Sequence, residues 1–289
     1  MASPVPITVR NMHFPFDASI PRHWHGGRTG VTALFDSHSL FFPLGERFFV
    51  DSVQDAIPLL KDAALVKQAR LFCGQEGVHQ REHEDYNRML AERGYPTVRL
   101  ERWVARLLWL VRATTLPRWR LGITCGLEHF TAIAANRILT EPLALADADD
   151  RMRAFWRWHA AEEIEHKSIP FDMYQRLGGN YLERVVIMVL ATLVFRTWAF
   201  VFLCVFLWTD RALFSRRAWS GIFEWLSTGG SAFVRDYLAY YRRDFHPWQL
   251  DSRRGLQSFQ DEFATGHAYA SFVGGPSSSY RRLSNAPQQ

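Results

Sequence analysis

The stretch HAAEEIEH, residues 159–166, places several groups that are costly to bury inside a helical, partly apolar segment. A helix advances about 100° per residue, so residues three, four and seven apart share a face. His159, Glu163 and His166 follow this spacing and form one stripe of three candidate metal ligands. Glu162 lies near the stripe and is the main rival to Glu163, whereas Glu165 is expected to face solvent. The alternative interpretation is a solvated, charged helix face.

A similar stripe occurs earlier in the chain. Glu76, His79 and His83 are again three and four residues apart, so the Glu-x-x-His pair occurs twice. Two further glutamates, Glu46 in LGERFFV and Glu128 in CGLEHFTA, lie among apolar residues. A glutamate is rarely found in such surroundings unless it is paired or bound to an ion. His83 is interpreted either as an additional ligand or as a residue that supports the ligands.

The periodicity predicts an all-α fold. The order Glu, Glu-x-x-His, Glu, Glu-x-x-His on successive helices is that of a ferritin-like four-helix bundle that holds two metal ions. The segment between 94 and 118 would supply the crossover that such a bundle needs, and additional C-terminal helices are expected near 216–227 and 230–243. The four bundle helices are expected from about 37 onward and over 61–94, 118–139 and 151–177.

Three regions are predicted along the chain. Residues 1–36 are rich in proline and contain Gly26–Gly27, so they should form an irregular N-terminal arm. The HWH motif at 23–25 in this arm is more often incidental than a metal site. Residues 37–250 should form the helical di-metal domain, and residues 251–289 a C-terminal tail that is partly disordered, because its end is polar.

Residues 185–208 are the most apolar stretch and carry a single charge, Arg196. A helix of this length, at about 1.5 Å per residue, could cross a hydrocarbon core of about 30 Å. We expect shallow association with a membrane surface, because a clean span would separate the end of the chain from the bundle. The alternative is a buried fifth helix in which Arg196 pairs with a carboxylate.

Composition bears on the possible partners of the chain and on its cellular compartment. The chain is 48% hydrophobic, which permits a large core, and its formal charge of +5 comes from scattered residues without a nucleic-acid motif. No nucleic-acid partner is therefore expected. Cys73, Cys125 and Cys204 are far apart and are predicted to be small buried hydrophobes in a reducing compartment. The expected location is the cytoplasm, with association to the inner membrane through 185–208.

The motifs FFPLGERFFV, FCGQEGVHQREHEDYN, LEHFTA, WRWHAAEEIEHKSIPFDMY and DFHPW together resemble bacterial proteins described as predicted metal-dependent hydrolases, over about residues 35–250. The resemblance implies a metal more firmly than it implies hydrolysis. A more distant similarity is to p-aminobenzoate N-oxygenases, ferritin-like di-iron enzymes with a third histidine four residues before the last Glu-x-x-His. His159 holds that position here. The matching ligand positions are Glu46, Glu76, His79, Glu128, His159, Glu163 and His166.

These residues predict a di-metal carboxylate enzyme that acts on a small organic substrate. Two metal ions are expected, iron first, with manganese or zinc as alternatives. Carboxylate and imidazole ligands without thiolate favour iron or manganese over a structural zinc. We favour an O2-dependent oxygenase or oxidase supplied by an electron donor protein. A metal-dependent hydrolase that uses metal-activated water is the alternative, and metal storage or buffering is a third hypothesis.

Overall fold

The computed structural model describes residues 5–266 and 268–274 of the chain, and the backbone within these ranges is mainly helical. These ranges contain no strand beyond isolated bridges, so the predicted all-α class is confirmed. In chain order the helices are α1 (Thr29–Ser39), α2 (Phe42–Ala56), α3 (Ala63–Glu92), α4 (Thr97–Thr114), α5 (Pro117–Thr140), α6 (Asp150–His166), α7 (Ile169–Arg176), α8 (Tyr181–Thr209), α9 (Arg216–Ser227), α10 (Gly230–Ala239) and α11 (Arg253–Thr265).

Four of these helices, α2, α3, α5 and α6, carry all the predicted ligands. α2 packs along α3 and α5 packs along α6, while α2 also contacts α5 and α3 contacts α6. The segment predicted as the crossover between the two pairs is itself helical, because α4 occupies most of it. The apolar sides of the four helices therefore meet in one interior.

The boundaries of the ligand-bearing helices follow ordinary capping chemistry. The Asp62 carboxylate accepts hydrogen bonds from the first turn of α3, and Asp149 does the same for α6. The helix predicted over 151–177 is interrupted, since α6 ends at His166 and α7 begins at Ile169. Pro170 has no N–H to donate, so the α6 hydrogen-bond ladder cannot continue through this position.

The predicted irregular arm is shorter than expected. Residues 29–36 belong to α1, whose Val31, Leu34 and Phe35 have the spacing of a helix face. This helix lies very close to α9, because a Cβ added to Gly30 would stand 2.1 Å from the carbonyl oxygen of Ala218. The proline and glycine content before residue 29 hid this short helix from the sequence analysis.

The region predicted as a tail begins with a packed helix. α11 contacts α5 and α6, and its Leu256 and Phe259 are buried. An isolated bridge joins Val273 to Met12, so the last described residues contact the N-terminal arm. The polar end of the predicted tail, from 275 onward, lies outside the described residues.

Helix α8 contains the apolar stretch predicted at 185–208. One side of α8 packs against α1 and α5, but only 28% of its most apolar 18-residue window is buried. The alternative of a wholly buried fifth helix is therefore wrong. Arg196 is exposed, and no carboxylate of the described residues forms an ion pair with it. By length and composition alone, α8 is the one described helix that could cross a membrane.

Candidate metal centre

The structure brings the seven predicted ligands together in the interior of the four helices. None of them is more than 3% exposed. They come from all four helices, as Glu46 on α2, Glu76 and His79 on α3, Glu128 on α5, and His159, Glu163 and His166 on α6.

The seven side chains form two adjoining groups. One group contains Glu46, His79, His159 and Glu163, and the other contains Glu76, Glu128 and His166. Within each group, one potential ligand atom per residue lies within 4.8 Å of all the others. Two groups of this kind could hold two ions.

Glu163 lies between the two groups. Its Oε1 is 3.0 Å from Nε2 of His159 and 3.5 Å from Nδ1 of His79. Its Oε2 is 3.6 Å from Nε2 of His166, which belongs to the other group. This placement suits a carboxylate that bridges two cations.

Buried atoms without a hydrogen-bond partner show that the residues fit bound cations. An unpaired buried polar atom is costly, so native proteins rarely leave one. Here both carboxylate oxygens of Glu46, Glu76 and Glu128 lack such a partner, although some stand close to histidine nitrogens. The same is true of Glu163 Oε2, His79 Nδ1, His159 Nε2 and His166 Nε2.

The carboxylates of the cluster have pKa values that are shifted in opposite directions. Burial, together with nearby Glu76, raises the pKa of Glu46 well above its usual value, and burial likewise raises the pKa of Glu128. Burial alone would raise the pKa of Glu163, but contacts with histidines hold that pKa well below its usual value. Ionising all these carboxylates together requires added positive charge, which bound cations would supply.

Glu162, the rival of Glu163 in the sequence, stands behind His79. Its Oε2 lies 3.1 Å from Nε2 of His79, and its Oε1 accepts from the backbone N–H and the guanidinium of Arg10, each at 3.1 Å. A carboxylate only accepts hydrogen bonds, so His79 Nε2 carries a proton, and in the neutral ring the lone pair is on Nδ1. Glu162 therefore orients a candidate ligand, and Glu163 occupies the centre.

The prediction that Glu165 faces solvent is wrong, because Glu165 is fully buried. It accepts from Arg10 Nη2 at 2.6 Å, from the Thr8 N–H at 3.1 Å and from Gln75 Nε2 at 2.8 Å. The irregular arm covers this side of α6 and excludes water from it. With its amide nitrogen committed to Glu165, Gln75 presents Oε1 to His166 Nδ1 at 2.9 Å.

His83 supports His159 through a chain of hydrogen bonds. The Ser39 hydroxyl donates to Asn87 Oδ1 at 2.7 Å, so it accepts from His83 Nδ1 at 2.8 Å. His83 Nε2 is then the acceptor for His159 Nδ1 at 3.0 Å. His83 stands behind His159 and belongs to neither group of candidate ligands.

The three candidate histidines thus share one arrangement. In each of these histidines, one ring nitrogen forms a hydrogen bond with a residue outside the cluster. The pairs are His79 with Glu162, His159 with His83, and His166 with Gln75. The other nitrogen lacks a hydrogen-bond partner and belongs to the inner cluster. Outer hydrogen bonds of this kind fix the tautomer and orientation of metal-binding histidines. The protein therefore turns three ring nitrogens inward, and each carries a lone pair when its ring is neutral.

The HWH motif, His129 and the three cysteines lie outside the two groups of candidate ligands. His25 of the HWH motif is buried, with Nε2 2.8 Å from the carbonyl oxygen of Ala144. His129, the neighbour of Glu128, donates to the carbonyl oxygen of Asp236 and does not join the cluster. Of the three cysteines predicted to be buried, only Cys125 is; Cys73 and Cys204 are half-buried.

We predict that His83→Phe lowers metal affinity about 10–100-fold, because His159 loses the acceptor that fixes its tautomer. His83→Gln should retain most of the affinity, since a glutamine carbonyl can still accept from His159. Competition with a chromogenic chelator for Zn²⁺ or Mn²⁺ measures the effect. His25→Phe, which alters a buried histidine outside the cluster, is the matched control. Unchanged affinity in His83→Phe would contradict this role.

Comparison with known protein families agrees with the metal assignment. A family model described as "Predicted metal-dependent hydrolase" matches residues 8–251, which is most of the chain. The chain belongs to this family. Neither a search of curated proteins nor a search of solved structures finds a match.

Proposed function

We propose that this member of the predicted metal-dependent hydrolase family uses a two-metal centre to hydrolyse a small organic substrate. The observation that carries the proposal is the buried cluster of four carboxylates and three imidazoles whose inner nitrogens lack a hydrogen-bond partner. The family assignment supports hydrolysis better than it supports the oxygenase that the sequence analysis favoured. The small organic substrate and the presence of two ions both belong to the proposal.

Bound cations would supply Lewis-acid activation of water or, if they are reduced iron, activation of O2. The chain's own part is to hold the ligands and exclude bulk water. Glu46, His79, His159 and Glu163 would hold one ion, and Glu76, Glu128 and His166 the other, with Glu163 shared. Glu162, Gln75 and His83 keep the ring protons on the outer nitrogens, so the inner nitrogens stay available.

Aromatic rings form the walls of the site. Phe72 lies 4.8 Å from the ring of His166, Trp158 lies 4.9 Å from that of His79, and Phe42 lies 4.8 Å from that of His159. These rings limit space and raise the strength of electrostatic interactions by keeping the dielectric low. A small and partly apolar substrate fits such surroundings better than a large or highly charged one.

O2-dependent oxidation by a di-iron centre is the second candidate function. It is supported by the donor set, since His159 adds a third nitrogen beside Glu163 and no cysteine joins the cluster. This reaction would need an electron donor protein. Metal storage or buffering predicts metal uptake without any turnover, so one set of assays separates the three hypotheses.

Metal replacement under controlled atmosphere tests the proposed function. Protein freed of metal with a chelator is reloaded with Zn²⁺, Mn²⁺ or Fe²⁺ and assayed without O2 on a panel of small esters, amides and phosphoesters. We expect at least one class to be hydrolysed, and the rate to vanish in Glu163→Ala. Turnover that appears only with iron, a reductant and O2 would overturn the hydrolase proposal in favour of the oxygenase.

A further inference from the structure

The outward side of α8 is an apolar surface that the rest of the described chain leaves uncovered. Its exposed positions recur every three or four residues and fall on one stripe. Monomeric soluble proteins rarely expose a contiguous apolar surface of this kind without a partner. The large apolar side chains of the stripe, between 40% and 69% exposed, are Leu182, Val186, Val189, Leu190, Leu193, Val194, Phe200 and Trp208.

Neighbouring helices extend this surface on both sides. α4 contacts α8 through the rings of Trp103 and Trp198, whose centroids are 5.7 Å apart. α9 lies beside α8 through Trp219 and Phe200, at 6.2 Å. We call the exposed residues of α4, α8, α9, α10 and the connection 210–215 the α8 surface. Besides the α8 stripe, its exposed large apolar residues are Val98, Trp109, Leu110, Phe214, Phe223, Leu226, Val234 and Leu238.

The charged residues exposed on the α8 surface are almost all positive. Eight are arginines, and Glu224 is the one acidic residue among them. The whole chain, by contrast, has 34 basic and 29 acidic residues. Positive charge is thus concentrated around the apolar stripe, and the partner of this surface should be negative and apolar. The arginines are Arg99, Arg102, Arg106, Arg196, Arg211, Arg216, Arg217 and Arg235.

We propose that the α8 surface docks on an anionic lipid bilayer, with α8 lying along the interface. Apolar side chains would enter the boundary between headgroups and acyl chains, while the arginines contact anionic headgroups. Trp109 and Trp208 suit the same depth, since tryptophan is enriched at membrane interfaces.

The packing of α8 excludes a clean span of the folded protein. Ile187, Phe202 and Phe206 on its inner side are at most 2% exposed and face the protein interior. Surrounding α8 with lipid would require stripping this side from α1 and α5. A second copy of the chain is also a poor partner, because a symmetric contact would set two arginine-rich surfaces against each other.

Vesicle sedimentation tests the proposal with the full chain. We expect binding to phosphatidylcholine vesicles that contain phosphatidylglycerol, weakened by added salt, and little binding to phosphatidylcholine alone. Leu190→Asp/Leu193→Asp should lower binding about tenfold or more, because charge is placed at the apolar contact. Arg102→Glu/Arg106→Glu should act in the same direction.

Matched controls come from exposed leucines elsewhere. Leu59 and Leu143 are 64% and 65% exposed, close to the 61% of Leu193, so Leu59→Asp and Leu143→Asp change the surface equally and should bind vesicles normally. Circular dichroism and metal content verify that each variant is folded.

Three results would overturn the proposal. One is equal binding to neutral and anionic vesicles, and another is wild-type binding by the Leu190/Leu193 variant. The third is a dimer that depends on Leu193 and shows no vesicle binding, which would assign the α8 surface to a second copy.

Discussion

Replacement of Glu163 by alanine is expected to abolish binding of the metal pair. Its two oxygens face different groups, with Oε1 near His159 and His79 and Oε2 near His166. Loss of this one side chain therefore removes a shared ligand from both predicted ions. Metal analysis after anaerobic purification and dialysis should show about two ions per wild-type chain and a near-complete loss in the variant.

Glu92→Ala, at an exposed position on α3, is the control and should keep its metal. A Glu46→Ala/Glu163→Ala double variant that still binds a full pair would refute the ligand assignment.

Replacement of Glu46 is expected to have opposite effects on metal binding and on the stability of the metal-free protein. Both of its carboxylate oxygens are buried without a hydrogen-bond partner, so the metal-free protein bears a cost that a cation removes. Glu46→Leu should therefore weaken metal binding yet stabilise the metal-free protein by about 1–3 kcal/mol. Urea unfolding in excess chelator measures this change. A glutamate with a purely structural role would give the reverse result, a less stable metal-free protein.

The inner cluster can be predicted from the sequence, because the evidence for each of its residues lies in the few residues around it. Each candidate ligand lies on a helix of regular period, and Glu76/His79 and Glu163/His166 share one spacing. That period fixes which side chains share a face, and the cost of burying glutamate indicates a partner. The break between α6 and α7 could also have been predicted, since Pro170 is visible in the sequence.

The outer partners could not be predicted in the same way. Gln75 and Ser39 support histidines on other helices, and Arg10 lies in an arm without periodicity. These contacts depend on how the arm and helices pack together, which no local pattern specifies. The burial of Glu165 could not be predicted for the same reason, because helical periodicity places it away from the candidate ligands but does not reveal that the arm covers it.

Arg10 is the outer residue whose loss should have the largest effect. Its side chain is only 9% exposed and forms ion pairs with Glu162 and Glu165, both fully buried. Removing one partner of a buried pair costs about 3–5 kcal/mol. For Arg10→Met we expect about 3 kcal/mol, the lower end, because the N–H groups of Thr8 and Arg10 still donate to the two carboxylates. Urea unfolding measures the loss.

Arg151 provides the matched control. It also anchors the arm, through the Pro15 carbonyl and Asp17, but Asp17 is 53% exposed. Exposed pairs contribute at most about 1 kcal/mol, so Arg151→Met should change stability little. Arg10→Met/Glu162→Gln/Glu165→Gln should recover part of the loss, because the carboxylates no longer need a cation.

Arg10 should also affect the metal centre from a distance. It holds Glu162, which orients His79, and Glu165, which orients Gln75 and through it His166. With both carboxylates released, two inward lone pairs lose their fixed direction, and metal affinity should fall about tenfold or more. Chelator competition, measured where the variant is still fully folded, separates this effect from lost stability. An Arg10→Met protein with reduced stability but wild-type metal affinity would show that the arm only covers the bundle.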